Sequence, residues 1–436
     1  MKKILSLLLA AMMALALLPA LAEAPALDPA LLDPDGNLPE TLENPNLTIV
    51  FWMSWNGYRN MKANNPAAFE ASMEAKEFFE KKYGGTVEII GVNWDQQLQK
   101  CIDMQQAGDA PDLVLMYESV FHNAVLQGII TNLDDVVSDK DYSYWNISKE
   151  NYMWKGSHYA VPIKPYLKHI TFNRTMFEYE GLEAPDELYV KGEWDFDAFL
   201  EAGQALTYDS DGDGEIDQWG FSGYGDSMSH FLVTNHGGIL NIDQAEGKVT
   251  SALKEPQTME AIEYMSRMMS NTDGMWMLED SEMFGYFDNN ALGMIVGKEI
   301  QDARSLPFDV GMVPYPHGPS GSADEVYVYS QSWAVPTGSK NPEAAAAYIM
   351  MVNEVQKAYG DQMERVRYGE GPDGRDMYDI IYDGHTLITR YDKGLADVWT
   401  VMSTINNYMA EGVPASTIVE RVDPLINAEI EKVFSK

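Results

Sequence analysis

The sequence contains little cysteine and few basic residues, and these shortages exclude several classes of protein. Cys101 is the only cysteine among 436 residues, so no intramolecular disulfide can form. Lys and Arg total 30 against 67 Asp and Glu, which gives a formal net charge of −37. Such an acidic surface repels nucleic acid and anionic lipid, so we expect neither as a partner, and a neutral ligand is the simplest match.

Motifs typical of enzymes are also missing. The seven histidines show no H-E-x-x-H motif and no close pair at metal-ligand spacing. Neither a G-x-S-x-G nucleophile elbow nor a glycine-rich phosphate loop occurs. We therefore predict a protein that is not an enzyme and requires no cofactor. Because so many acids produce carboxylate pairs by chance, a secreted glycan-active enzyme stays open as an alternative.

Residues 1–22 are predicted to be a signal peptide. Lys2 and Lys3 precede an apolar run over residues 4–18, and Ala-Leu-Ala at 20–22 offers a small-x-small cleavage site. The run is too short for a membrane span, although an N-terminal anchor is the alternative. We expect the mature protein in the periplasm or outside the cell, without a lipid anchor through an N-terminal cysteine.

The remaining chain is predicted to form two lobes behind a tether. Residues 23–46 alternate prolines with acids, which favours an unstructured segment. The rest is too long for one ordinary core. We assign residues 47–165 and 332–380 to the first lobe, and residues 166–331 and 381–436 to the second.

The first lobe opens with alternating strands and helices. They are predicted over residues 47–52, 65–83, 86–92, 95–107 and 112–117, with Asn65 and Pro66 starting the first helix. Short connections between such elements predict a parallel sheet flanked by helices, an α/β fold. Cys101 faces inward from the second helix and is predicted to be buried rather than reactive. Farther on, we predict strands over 169–173, 292–296, 308–313 and 327–335, and helices that begin at Asp195 and Asn341.

Aromatic and polar residues follow the first three predicted strands, where parallel sheets bind ligands. Sugars present C–H faces that stack on aromatic rings and hydroxyls that pair with polar side chains. Each candidate could instead be an ordinary core or surface residue. The candidate ligand-binding residues are Trp52, Trp55, Asn56, Trp94, Tyr117 and Glu118 at strand ends, Lys164, Tyr166, Gln331 and Trp333 on segments predicted to cross between lobes, and Trp276 and Lys298 elsewhere.

Residues 209–217 read like the first nine positions of a calcium-binding loop. The candidate ligands are Asp209, Asp211, Asp213, Glu215 and Asp217, with Gly214 at the position that makes the turn. Position twelve is Gly220 instead of the usual bidentate glutamate, so one pair of ligand atoms is missing. The alternatives are a structural calcium ion and an ordinary Asp/Gly-rich turn.

From residue 47 to residue 434 the chain resembles the extracellular solute-binding proteins of ABC importers, in the sugar-binding family that includes maltose-binding proteins. The segments that carry the resemblance are residues 47–52 with 110–114, 170–173 with Gly181, Leu182 and Pro185, 193–196, 209–220, 287–294, and 330–336 with 338–342. Residues 289–294 differ from the family's G-K-A-A-M motif. The Thr that precedes Trp in the family's T-W-D-E-F helix start is absent before Trp194.

The resemblance implies a periplasmic-binding-protein type II-like fold, in which two α/β lobes joined by crossing strands close over a ligand like a hinge. It also implies that the protein captures a mono- or oligosaccharide without altering it and delivers it to the permease subunits of an ABC transporter. We expect a monomer. A binding protein for another neutral solute, such as a polyol or a peptide, remains a further alternative.

Overall fold

The computed structural model describes residues 32–33, 36–64, 69–137, 145, 149–270, 274–277, 281–360, 365, 368–372, 374–382, 385–389, 395 and 397–434. The predicted signal peptide and the predicted helix start at Asn65 and Pro66 lie outside these residues. Among the described residues, no helix has both the length and the apolar character needed to cross a membrane.

The fold is mixed α/β, with several sheets flanked by helices, and this confirms the predicted class. The strands are β1 Leu47–Phe51, β2 Val87–Gly91, β3 Leu113–Tyr117, β4 Met153–Trp154, β5 Ser157–His158, β6 Val161–Pro162, β7 Tyr166–Leu167, β8 His169–Asn173, β9 Trp219–Ser222, β10 Leu240–Asp243, β11 Lys248–Ser251, β12 Leu292–Val296, β13 Val310–Pro314, β14 Glu325–Tyr329, β15 Gln331–Ala334 and β16 Thr386–Ile388. The α-helices are Trp55–Asn64, Ala71–Tyr83, Gln97–Gln106, Glu118–Leu126, Arg174–Glu180, Pro185–Lys191, Phe196–Ala205, Met228–Thr234, Pro256–Met268, Met283–Asp288, Ile300–Ala303, Pro342–Val355, Met377–Tyr382, Val398–Ala410 and Ala415–Phe434.

The first sheet has the strand order β2-β1-β3-β15-β6. Strands β2, β1 and β3 are parallel, whereas β15 is antiparallel to both β3 and β6. The carboxyl ends of β1, β2, β3 and β6 therefore meet the amino end of β15 at one edge. We call this the first carboxyl edge.

The second sheet has the order β13-β8-β12-β9. Strand β8 is antiparallel to both of its neighbours, and β12 is parallel to β9. The carboxyl ends of β9, β12 and β13 therefore lie beside the amino end of β8. We call this the second carboxyl edge.

Two connecting strands join the two sheets. The chain leaves the first carboxyl edge after β6 and enters the second at β8 through β7, and it returns through β14 into β15. Strands β7 and β14 pair antiparallel, and the Ile163 amide donates to the Gln331 carbonyl at 3.0 Å. Each connection therefore runs from one carboxyl edge to the other.

Side chains on both faces of the first sheet are buried against helices. Ile49 and Phe51 pack with Phe79 of the helix Ala71–Tyr83, whereas Val50 lies in the core cluster that contains Cys101. The prediction for Cys101 is confirmed, because its thiol is buried and this burial raises its pKa to about 12. A thiol with so high a pKa is not a nucleophile at neutral pH.

The helix Trp55–Asn64 was not predicted. Ser54 starts it by accepting the Gly57 amide on its Oγ at 3.1 Å, and Tyr58 is buried against the next helix, where its hydroxyl meets Glu74. The helix Ala71–Tyr83 is capped by Glu70, which accepts the Ser72 amide. At Asp195 the predicted cap is confirmed, since its carboxylate accepts the Ala198 amide at 2.9 Å.

Part of the predicted tether packs against the first sheet's helices. Leu38 is buried beside Phe78, and the Tyr83 hydroxyl donates to the Pro39 carbonyl at 2.9 Å. The prediction of an unstructured segment is therefore wrong around these residues, because Leu38 supplies apolar area that the average composition of the segment does not reveal.

The lobe boundaries stay predictions. Tyr378 and Ile381 were assigned to different lobes, and both pack with Leu167 and Met312. The Tyr378 ring also lies 4.4 Å from the ammonium of Lys164, so this helix contacts residues assigned to both lobes. Sequence order alone does not reveal to which sheet a late helix returns.

Candidate functional site

Three aromatic side chains lie together at the first carboxyl edge. The rings of Trp94 and Tyr117 stack with centroids 5.0 Å apart and planes 21° from parallel. Trp52 meets Trp94 edge-on at 6.4 Å. We call Trp52, Trp94 and Tyr117 the aromatic row. Trp94 remains 37% exposed, so the row offers an aromatic surface to solvent.

The strand ends hold this row in place. Trp52 follows β1, Trp94 starts the short 3-10 helix after β2, and Tyr117 ends β3. A Cβ added at Gly91 would lie 2.3 Å from the Ser54 amide nitrogen, so only glycine allows the loops after β1 and β2 to pack this closely. Burial and the nearby Asp95 carboxylate both raise the pKa of Tyr117, which keeps its hydroxyl protonated and able to donate a hydrogen bond.

Trp55 and Asn56 lie on the helix next to the row. Trp55 is half-buried, 5.9 Å from the Tyr58 ring and under the Lys76 ammonium at 5.5 Å. Asn56 is exposed. The two residues belong to the same end of the sheet as the row and extend it along the surface of that helix.

Glu118 and Gln331 bind the returning strand to the first sheet. Glu118 is buried, and its Oε1 accepts the Ser330 amide at 3.0 Å. The Ser330 hydroxyl also lies 2.5 Å from the Tyr152 hydroxyl. Gln331 is buried and pairs opposite Tyr117. These polar groups therefore fix the point where the connection leaves the sheet.

Lys164 lies in an aromatic cage on the other connection. Its ammonium bonds the Tyr378 hydroxyl and lies 4.4 Å from the Tyr378 ring centroid and 5.6 Å from that of Tyr382. Cation–π attraction and the hydrogen bond offset the cost of burying this charge. Tyr166 is half-buried opposite Tyr329 on the paired strand.

The second carboxyl edge carries Lys298, which pairs with Asp288 at 2.5 Å. Two exposed aromatic residues nearby were not predicted. Tyr224 follows β9 and is 42% exposed, and Trp399 lies in the first turn of the helix Val398–Ala410 and is 59% exposed. That helix reaches the same edge, since Asn406 donates to the Gly225 carbonyl at 2.8 Å. Candidate residues were sought directly after predicted strands, so Tyr224 would have been among them if β9 had been predicted. No local pattern in the sequence distinguishes Trp399.

Two predicted ligand-binding residues lie in the hydrophobic core instead. Trp333 is 1% exposed and stacks on Phe51 at 5.6 Å, and Trp276 packs edge-on against Phe221 at 4.7 Å. Both predictions are corrected by this packing, because a ring without exposed surface cannot stack on a ligand. Trp333 alternates with strand neighbours whose side chains point to the opposite face.

The acidic loop brings three of its five candidate ligands together. Carboxylate oxygens of Asp209, Asp211 and Asp217 all lie within 4.8 Å of one another. Asp209 accepts the backbone amides of Gly214 and Gly212 at 2.8 and 2.7 Å, and these bonds lower its pKa. The side chains of Asp213 and Glu215 lie outside this group.

Aromatic and polar groups lie at the carboxyl edges of two sheets, and paired strands run between these edges. The bacterial extracellular solute-binding protein family matches residues 74–365, well over half of the chain, and the chain belongs to this family. The resemblance inferred from the sequence is thereby confirmed. No curated protein matches the chain significantly.

Solved structures of substrate-binding proteins share the fold. A cyclo/maltodextrin-binding protein complexed with maltotetraose aligns over 89% of this chain and 98% of its own, with 14% identity and a TM-score of 0.66. An ABC substrate-binding protein from Listeria monocytogenes in complex with cycloalternan covers 89% and 99%, with 15% identity and a TM-score of 0.61. UgpB from Mycobacterium tuberculosis in complex with glycerophosphocholine covers 89% and 98%, with 16% identity and a TM-score of 0.62. At these identities the similarity establishes the fold and leaves the ligand open.

Proposed function

We propose that this protein captures a carbohydrate between the two carboxyl edges and delivers it, unaltered, to an ABC importer. The aromatic row is the observation that carries the proposal. Its stacked rings offer an apolar surface to the C–H face of a pyranose. Structural neighbours that were solved in complex with maltotetraose and cycloalternan support the same class of ligand.

Charge supports a neutral ligand. The formal charge is −37, and two basic groups near the edges are already engaged, Lys164 by its aromatic cage and Lys298 by Asp288. An anionic ligand would therefore meet a repulsive field. Neutral hydroxyls can still pair with polar groups such as the exposed Asn56 amide.

Delivery follows from closure. The paired segments around β7 and β14 join the two sheets and can act as a hinge that brings Tyr224 and Trp399 towards the aromatic row when ligand binds. A permease that recognises the closed form would accept only the loaded protein. This step, export of the mature chain and a monomeric state rest on the family and on the sequence.

Binding is tested by a thermal-shift and calorimetric screen of the purified protein against mono- and oligosaccharides, polyols and peptides. We expect a saturable shift with at least one sugar and no hydrolysis of that sugar by chromatography. A shift with peptides alone would overturn the ligand class. Turnover that disappears when one carboxylate is replaced would instead show a glycan-active enzyme.

We also propose that the acidic loop binds a structural calcium ion through Asp209, Asp211 and Asp217. Calcium prefers such carboxylate oxygens, and the ion would relieve the repulsion among three acids. We expect calcium to raise the melting temperature relative to EDTA, and Asp211→Asn to remove that increase.

The calcium effect should depend on pH with a defined sign. The lowered pKa of Asp209 keeps it ionised, so stabilisation is present above the ordinary carboxyl pKa of about 4 and is lost as the pH falls through the lower folded-state value. Glu246→Gln, an exposed change outside the acidic loop, serves as the control and should retain the full calcium response. Equal melting temperatures in calcium and EDTA would contradict the proposal.

A further inference from the structure

A buried glutamine contacts the backbone of the aromatic row. Gln97 is the first residue of the helix Gln97–Gln106 and is 1% exposed. Its Nε2 donates a hydrogen bond to the Trp94 carbonyl at 3.3 Å. Trp94 is the most exposed member of the row, so this buried amide restrains the residue that offers its ring to solvent.

The same carbonyl has a second donor. The Tyr117 hydroxyl donates to it at 3.5 Å, while the Tyr117 ring stacks on the Trp94 indole. Gln97 and Tyr117 therefore reach one oxygen from a helix and from the end of β3. Two donors on one carbonyl fix the plane of the peptide that follows Trp94, and the allowed directions of the indole depend on this local backbone.

Local structure alone restrains this turn weakly. Trp94 begins a 3-10 helix of only three residues, Trp94–Gln96, and such turns have poor hydrogen-bond geometry. Asn93 precedes the turn, but its side chain makes no capping hydrogen bond. The restraint on Trp94 therefore comes largely from Gln97 and Tyr117.

Glutamine is an unfavourable residue for stability at this position. The Gln97 Oε1 is buried and has no hydrogen-bond partner among the described residues. A buried acceptor without a partner costs free energy of folding, and an apolar side chain of similar shape avoids that cost. A residue that breaks this rule next to a binding surface indicates that its side chain contributes to binding rather than to stability.

We propose that Gln97 is a positioning residue that holds Trp94 in the orientation that stacks on the ligand. It thereby raises the affinity for a ligand that it does not touch. The inference rests on the proposed function, because the aromatic row is taken to bind the sugar. A ring that is already fixed loses less conformational entropy when the ligand binds. Without the hydrogen bond, Trp94 spends time in other orientations, and the apparent Kd rises accordingly.

The test removes the donor and the unpaired oxygen together. Gln97→Met keeps the length of the side chain, and Gln97→Leu is a second apolar variant. We expect the Kd for the sugar found in the screen to rise about threefold to tenfold, the equivalent of one hydrogen bond. The melting temperature should stay equal or rise, because an unpaired buried acceptor is lost.

Gln99→Met is the matched control. Gln99 is an exposed glutamine on the same helix, and it bonds Asp103 at 2.8 Å instead of the row. Its replacement should leave the Kd unchanged.

A double-mutant cycle separates positioning from a general structural role. In the Trp94→Ala background, Gln97→Met should have no further effect on the Kd, because the ring that it positions is absent. A structural role would weaken binding by the same factor in both backgrounds. An unchanged Kd in folded Gln97 variants, or an equal loss in both backgrounds, would overturn the proposal.

Fluorine NMR of protein labelled with 5-fluorotryptophan provides a readout without ligand. The Trp94 resonance is the one that disappears in Trp94→Ala. We expect it to be single and sharp in the wild type and in Gln99→Met, and broadened or split in Gln97→Met. If no sugar binds the wild type, the proposed function fails. The spectral change would then still support the positioning of Trp94, whereas an unchanged resonance would refute it.

Discussion

Trp94→Ala is expected to weaken carbohydrate binding about tenfold to hundredfold. The ring stacks on Tyr117 at 5.0 Å, and 37% of its surface is available to a ligand. Covering an apolar side chain of this size contributes about 1.5–3 kcal/mol, which corresponds to that range of Kd. Isothermal titration calorimetry measures the change.

Two further variants separate stacking from other effects. Trp94→Phe keeps an aromatic face and should lose much less affinity than the alanine variant. Tyr179→Ala removes an aromatic side chain that is 85% exposed on the helix Arg174–Glu180, away from the row, and it should leave binding unchanged. Full affinity in Trp94→Ala would refute the aromatic row as the ligand surface.

Trp333→Ala is expected to lower the free energy of unfolding by about 3–5 kcal/mol. The indole is fully enclosed between the first sheet and its helices, and it stacks on Phe51 at 5.6 Å. Its removal leaves a cavity that the sheet can fill only in part. Urea denaturation followed by circular dichroism measures the loss.

Trp333→Phe is the matched control for this core position. The Trp333 Nε1 has no hydrogen-bond partner among the described residues. Replacement by phenylalanine therefore reduces the packed volume without breaking a hydrogen bond. Its cost should therefore be clearly smaller than that of alanine. A folded Trp333→Ala protein that retains its stability but loses ligand affinity would show that the residue acts at the site after all.

Both predictions concern tryptophans that the sequence alone ranks as equal candidates. Trp94 follows a strand, where a side chain leaves the sheet and reaches solvent. Trp333 lies inside β15, between β3 and β6, and its ring is buried against the helices that pack on this sheet. The difference depends on strand order, and strand order arises from contacts between residues far apart in the chain.

The first carboxyl edge was largely predictable because it depends on local patterns. Alternating strands and helices with short connections fold into a parallel sheet, so the residues after β1, β2 and β3 had to meet. The second edge was not predictable in this way. Its strands come from residues 169–314 in mixed orientation, and Trp399 reaches it from a helix near the chain's end.

Lys164 shows the same division between local and distant information. Its position on a connection between the sheets could be inferred, but its aromatic cage comes from Tyr378 and Tyr382, which belong to a helix much later in the chain. A buried lysine needs such partners, and no spacing in the sequence predicts which residues they are. The Lys164 ammonium, which was a candidate ligand-binding group, therefore bonds the Tyr378 hydroxyl within the protein.

The sequence by itself determined the α/β class, the acidic character that favours a neutral ligand, the buried thiol of Cys101 and the aromatic row. These follow from composition and from periodicity over short stretches. Only the tertiary structure decided which tryptophans are core, where Leu38 packs, and which rings surround Lys164. Those outcomes depend on the pairing of distant segments, whose free energy comes from surfaces that exist only once both segments have folded.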